Sequence, residues 1–265
     1  MKLRQTTTLV TGASAGLGRE IARLIIREQA GSVVAVARRR ERLEELVTEF
    51  RSAPGSQVHA VTADLSTAAG VEHCFTEATA TQRIDGVILN AGITFFGKFD
   101  QQTPESVQSV IGTNVTGLTL LANRFAKYFL ENKVPGRIMF VSSMSGFSPM
   151  PYQAIYGASK AYVTSLGLAM REELRNTGIT VGVFCPGGIT TEMSEYSGLG
   201  RTFGPDHSSM MAANTCARYA VSAYLSRVDV AIPGASNRVA SMAQRMLPRA
   251  LLTRAVERIY RNALK

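Results

Sequence analysis

Thr11-Gly12-Ala13-Ser14-Ala15-Gly16-Leu17-Gly18 follows a short β-branched run, Thr7–Thr11, and leads into an apolar, helix-patterned stretch that starts near Arg19. A strand, a glycine-rich turn and a helix N-terminus in that order make an anion site. Glycine lets the backbone approach a phosphate closely, and the unpaired N–H groups of the first helical turn point at it. Outward from this turn, Val33–Ala37, Val58–Ala63, Val87–Leu89, Ile138–Val141, Ile179–Phe184 and Val228–Ile232 read as further strands. Helical patterns lie between them at Arg39–Phe50, Val71–Ala80, Glu105–Phe129 and Ala161–Asn176. This alternation predicts right-handed βαβ crossovers, hence an α/β fold of Rossmann type, a doubly wound parallel sheet with helices on both faces. No linker or repeat interrupts it, so residues 1–235 are expected to form one dinucleotide-binding and catalytic domain.

Composition excludes several alternatives. The chain has 265 residues, 45% of them apolar, with 23 glycines, enough to bury a large core and unlike a disordered sequence. Cys74, Cys185 and Cys216 are scattered and odd in number, which argues against a disulfide scaffold and for a reducing compartment. His59, His73 and His207 lack ligand spacing, and no metal is expected. The N-terminus carries no apolar stretch and the longest uncharged run, Ile138–Ser159, is broken by Ser and Pro. A cytoplasmic protein is expected, peripheral to a membrane at most. The net charge of +9 leaves nucleic acid, an anionic cofactor or a membrane surface to be separated by where the charges sit.

Twenty residues past Gly18, where an acid would accept hydrogen bonds from both ribose hydroxyls of NAD, stand Arg38, Arg39 and Arg40. An arginine there pairs with a 2′-phosphate, so NADP is expected over NAD, with Arg38 the first contact and Arg39 the second. At the other end of the sheet, Tyr156 and Lys160 stand four apart and would share one helix face. A nearby ammonium should pull the phenol, ordinarily ~10, towards neutrality. Ser142, Ser143 and Ser145 close the strand that ends at Val141, Asn90-Ala91-Gly92 closes the one before it, and Asn114 lies in the helical stretch between.

Taken together, TGASAGLG, Asp64-Leu65, NAG, Asn114, the Ser143 neighbourhood, YGASK and Pro186-Gly187 resemble, in order and spacing, the compact branch of the short-chain dehydrogenase/reductase family over roughly residues 5–235. The resemblance implies that Tyr156 is the acid/base at the reacting carbonyl. Lys160 would hold the nicotinamide ribose and lower the Tyr pKa, Ser143 would bond the substrate oxygen, and Asn114 would hold a water in a proton relay. It implies a cofactor site of Gly12, Ser14, Gly16, Leu17, Gly18, Arg38, Arg39, Asp64, Leu65, Asn90, Ala91, Gly92, Pro186, Gly187, Ile189 and Thr191, together with Tyr156 and Lys160. Ser142 and Ser145 read as strand-end polar residues. Ala15 departs from the basic residue some NADP-dependent members carry there, which throws the 2′-phosphate onto Ser14 and Arg38. Helices Glu105–Phe129 and Tyr156–Asn176 would build a homodimer or homotetramer.

Three segments should surround the substrate: Ile93–Phe99, Phe147–Tyr152 and Thr190–Gly204. Phe95, Phe147, Tyr152, Met193 and Tyr196 are the candidate wall, and Leu199 and Phe203 fall in the same segments. Acids are sparse, which suits a bulky hydrophobic ketone or alcohol: a 3-oxoacyl group, ketosphingoid base, steroid or aromatic ketone. Tyr196–Ser209 reads as a lid. Beyond Pro233-Gly234 the composition changes, and residues 236–265 are expected as a basic amphipathic helical extension. From Asn237 on there are seven bases against Glu257, with Pro248 opening a second helix. Such a pair packs on its own protein or lies on an anionic membrane. The remaining 236 residues carry only +3, which Arg38 to Arg40 would supply, so nucleic acid is not an expected partner. The reading is an NADP-dependent carbonyl reductase/alcohol dehydrogenase. The rival is a non-catalytic NADP-binding regulator on the same fold, which would be free to lose one of Asn114, Ser143, Tyr156 and Lys160.

Overall fold

The structure is a computed structural model that describes residues 3, 5–29, 31–53, 55, 57–197 and 210–263. Seven strands form one parallel sheet: β1 (Thr7–Thr11), β2 (Ser32–Ala37), β3 (Val58–Thr62), β4 (Gly86–Leu89), β5 (Arg137–Val141), β6 (Thr180–Phe184) and a short last strand, Val230–Ala231. Their spatial order is β3-β2-β1-β4-β5-β6 and then the last strand. The chain therefore winds one way from β1 to β3 and the other way from β4 on, and the switch point lies between β1 and β4. Ligands of open parallel sheets bind in the crevice at that point, beyond the strand carboxyl ends.

Helices α1 (Gly16–Gln29), α2 (Arg40–Glu49), α3 (Ala68–Thr81), α4 (Pro104–Ile111), α5 (Leu118–Glu131) and α6 (Ala154–Glu173) fill the crossovers. Successive strand residues face opposite layers. Leu9, Val87, Ile138 and Phe140 enter one core with Phe125 and Phe129 of α5 and Val163 of α6. Val10, Ile88, Met139 and Val141 enter the other, with Ile21 and Ile25 of α1 and Leu43 of α2. Both layers are almost fully buried, and continuous apolar strands follow from that.

Four features differ from the sequence reading. Helix α1 starts at Gly16 rather than near Arg19, so the glycine turn itself provides its first N–H groups. Helix α6 starts at Ala154, which places Tyr156 in its first turn. The stretch Glu105–Phe129 is not one α-helix, because a π-helical turn, Gly112–Gly117, separates α4 from α5. A Cβ on Gly117 would lie 1.7 Å from the Leu65 carbonyl oxygen, so the helix meets the β3–α3 loop backbone there and only glycine fits. The last strand is two residues long, shorter than Val228–Ile232, since only Val230 and Ala231 pair with β6.

Beyond β6, β7 (Gly188–Thr190) and β8 (Met210–Ala212) form a separate parallel pair. Helix α7 (Glu192–Tyr196) follows β7, and α8 (Ala213–Ser226) follows β8 and packs beside α1. With β9 as the last strand, two helices end the chain: α9 (Ala235–Met246) and α10 (Arg249–Ala263). Pro248 immediately precedes α10 and caps it, its carbonyl accepting from Leu251 and Leu252. Among the described residues no helix is long and apolar enough to cross a membrane.

Candidate functional site

The glycine turn is held by its neighbours across the switch point. Asn90, just past β4, donates its Nδ2 to the Thr11 carbonyl at 2.9 Å, and Thr11 Oγ1 accepts from the backbone of Asn90 and Ala91 at 2.9 Å. Gly12 and Gly16 adopt φ of +70° and +53°, which favours glycine. A Cβ on Gly18 would stand 2.4 Å from the Gly12 carbonyl oxygen and 2.5 Å from Asn90 Nδ2, so this helix residue must also be glycine. Thr191 packs against the other rim, its side chain about where a Gly16 Cβ would reach. Bare backbone, a helix N-terminus and a shallow glycine floor fit the pyrophosphate of a dinucleotide.

At the end of β2, Arg38 is exposed and faces Asp64 electrostatically. It is Arg39 that reaches the turn. Its Nε and Nη2 lie 3.4 and 3.3 Å from Ser14 Oγ, and its Nη1 donates to Glu192 of α7 at 2.8 Å. The sequence reading placed Arg38 first and Arg39 second at a 2′-phosphate; of the two, Arg39 is the one that contacts Ser14 of the turn. Asp64 accepts from the backbone N–H and hydroxyl of Ser66, which hold its carboxyl below the usual range. Leu65 is buried in the first core, and its carbonyl meets Gly117 of the π turn.

The reacting end lies across the β4 and β5 carboxyl edges. Lys160 is 4% exposed, donates to the Val141 carbonyl at 2.9 Å and stands 5.7 Å from the centre of the Tyr156 ring. Burial brings its ammonium down to about 8. Burial also pushes the Tyr156 phenol above its ordinary value, with the Ser143 hydroxyl pulling the other way. The ammonium, turned towards the Val141 carbonyl, is not among the groups that move the phenol in this geometry. Ser143 Oγ accepts from Ser145 N at 3.1 Å and faces the Pro186 carbonyl. Ser142 instead bonds the Lys160 carbonyl and Thr164, a strand-to-helix tie.

Asn114 sits fully buried in the π turn. Its Oδ1 accepts from Ile93 N at 2.9 Å, and its Nδ2 donates to the Ile93 carbonyl at 2.9 Å and to Ser159 Oγ at 3.1 Å. A Cβ on Gly92 would lie 3.3 Å from both Asn114 Oδ1 and Lys160 Nζ, so these two polar groups and the Asn90-Ala91-Gly92 backbone meet in one place. Ile189 packs partly against the second core, and Gly187 is covered by the Asn237 side chain of α9. The Thr191 hydroxyl is engaged in a capping box with Ser194 at the start of α7.

The substrate candidates divide. Phe95 and Tyr152 are half-buried, and Phe147 packs against the first core. Met193 is 38% and Tyr196 84% exposed, so Tyr196 points to solvent rather than into a wall. Residues 198–209 of the expected lid, with Leu199, Phe203 and His207, lie outside the described residues. The far wall comes from α10, so the C-terminal helix pair packs on its own protein here. Tyr152, at a left-handed φ of +64°, donates its hydroxyl to Glu257 Oε1 at 2.8 Å, and Arg261 grips the same carboxylate. The Tyr260 ring meets Phe96 edge-on at 5.5 Å, and Phe96 meets Tyr152 at 6.5 Å. Burial, with a contribution from the Tyr156 phenol, pushes Tyr260 up to about 12. Among the described residues no group of three His, Cys, Asp or Glu is placed to hold a metal.

An open parallel sheet with a glycine cradle at its switch point defines a Rossmann-type dinucleotide-binding domain. The sequence profile of the short chain dehydrogenases matches residues 6–201, and the chain belongs to that family of oxidoreductases. It is 34% identical over 194 residues to a 3-oxoacyl-[acyl-carrier-protein] reductase of Synechocystis, covering 73% of this chain and 78% of that one. It is 29% identical over 233 residues to the tetrahydroxynaphthalene reductase of Pyricularia oryzae, covering 87% and 80%. A short-chain dehydrogenase from Sphingobium yanoikuyae, solved in complex with NADPH, superposes with a TM-score of 0.79 at 32% identity, covering 90% of this chain and 92% of that one.

Proposed function

We propose that the protein is an NADPH-dependent reductase of a bulky hydrophobic ketone, working through Tyr156. The observation that carries this reading is the cluster of half-buried Tyr156 with buried Lys160, Ser143 and Asn114 beside the Asn90-Ala91-Gly92 backbone. The bound nicotinamide would supply the hydride. The chain's part is to orient the carbonyl and deliver a proton. Ser143 Oγ and the Tyr156 hydroxyl converge on one point, where both would bond the carbonyl oxygen as it gains negative charge. Tyr156 gives up its proton there. A phenol held above its ordinary pKa stays protonated at neutral pH, which suits the reductive direction. Lys160, close to neutrality, replaces that proton most readily, and Asn114 fixes the backbone around it.

Arg39 beside Ser14 supports NADPH over NADH, since a 2′-phosphate at the turn would meet a guanidinium. Phe95, Phe96, Tyr152 and Tyr260 support an apolar substrate. The relatives are named as reductases of a 3-oxoacyl-[acyl-carrier-protein] and of a tetrahydroxynaphthalene, one an acyl-chain carbonyl and the other a fused aromatic. The reading is tested by following loss of NADPH absorbance with a panel of hydrophobic ketones and by mass spectrometry of any compound copurifying with the protein. No turnover across the panel, with NADPH bound, would favour a non-catalytic binder.

A further inference from the structure

Helix α10 has two faces, and the cleft uses only one. Leu252, Val256, Glu257 and Tyr260 are half-buried on the inner side, while Leu251, Arg254, Ala255, Arg258 and Ile259 recur at helical spacing on the outer side and are exposed. Helix α9 has an exposed apolar stripe of its own, with Val239 68%, Met242 64% and Met246 84% exposed at helical spacing, and Leu247 and Leu251 are exposed just after it. Exposed apolar side chains clustered in this way on a folded chain mark an interaction site.

Charge selects the occupant. Residues 237–265 hold seven bases and one acid, Glu257, which Arg261 and Tyr152 already engage. Arg238, Arg249, Arg254 and Arg258 stand exposed around the apolar stripe. A second copy of the same face would set these four arginines against four more, whereas an anionic lipid surface satisfies both features. Arginine heads would meet headgroup phosphates while methionine and leucine side chains enter the acyl boundary. We infer that the outer face of α9–α10 docks the protein on an anionic bilayer. Since the inner face of α10 is a wall of the cleft, the mouth then lies beside the lipid. That the bilayer delivers the substrate rests on the hydrophobic-ketone reading; the docking itself does not.

Flotation of the full chain, without substrate, tests it. Vesicles of phosphatidylcholine with about 30% phosphatidylglycerol should carry the protein at about 50 mM salt, and at least about tenfold less at about 0.5 M salt or with phosphatidylcholine alone. Met242→Asp/Met246→Asp and Arg254→Gln/Arg258→Gln should each cut binding about tenfold, with thermal unfolding and turnover of a water-soluble ketone unchanged. No binding to the anionic vesicles, or binding indifferent to both variants, overturns the inference. A wild-type dimer that Met242→Asp/Met246→Asp splits, with no flotation, assigns the face to self-association and also overturns it. Vesicle binding without ketone turnover would strike the reductase reading alone.

Discussion

Replacing Arg39 by alanine should change cofactor choice more than anything else at the adenosine end. Its guanidinium lies 3.3 and 3.4 Å from Ser14 Oγ and 2.8 Å from Glu192, so a 2′-phosphate at the turn would displace Glu192 and take over the fork. Hydrogen bonds to charged groups are worth ~1.5–3 kcal/mol. The Arg39 side chain is 42% exposed and must give up an existing partner, and both facts push the value to the lower end. About 1.5–2 kcal/mol corresponds to a ~10–30-fold weaker NADPH Kd, with NADH binding altered less than about twofold. Glu192→Gln removes the competitor and should tighten NADPH by up to about fivefold, the range of a partly exposed ion pair. Calorimetric titration of both cofactors against wild type, Arg38→Ala, Arg39→Ala and Glu192→Gln measures all of this. If Arg39→Ala kept its NADPH affinity within about twofold while Arg38→Ala lost it, the phosphate would sit on Arg38 and the reasoning would be wrong.

Other outcomes follow from the same geometry. Gly18→Ala forces a Cβ against Gly12 O and Asn90 Nδ2 and should cost ~1–3 kcal/mol of stability, read by chemical denaturation, along with dinucleotide binding. Asn114→Ala leaves the half-buried Ile93 N–H and carbonyl without their partner, while the Ser159 hydroxyl keeps the Tyr156 carbonyl, at a similar ~1–3 kcal/mol, and should lower kcat more than it raises KM. Lys160 is depressed from 10.5 to about 8 by burial, so between those values the unfolded chain binds more protons than the folded one. Its contribution to stability therefore rises with pH through that window. The wild-type minus Lys160→Met difference in unfolding free energy should climb from pH 8 to 10.5, and a flat or falling difference would contradict the burial of that ammonium.

The parts of the fold legible in the sequence are those with local signatures. The Thr7–Thr11 strand, the glycine turn and α1 are contiguous, and the β-branched runs mark the sheet wherever both strand faces are buried. Tyr156 and Lys160 share a helix face through a spacing of four, and Ser143 is tied to the end of β5. What stayed hidden depends on contacts far apart in the chain. The π turn at Gly112–Gly117 is dictated by the backbone of residues 65 and 66 packing on it, which no helical periodicity records. Glu257 and Tyr260 read as an ordinary amphipathic helix, although Glu257 meets Tyr152 105 residues away. Residues that touch across such a distance leave no mark in either segment.

The central claim, that Tyr156 is the proton donor of a carbonyl reductase, is tested most directly by Tyr156→Phe. The ring, its burial and the dinucleotide crevice are preserved and only the hydroxyl is lost, so NADPH should bind as in wild type while ketone turnover falls ~10²–10⁴-fold. Turnover above about a tenth of wild type, with unchanged cofactor affinity, would mean that the proton comes from another group.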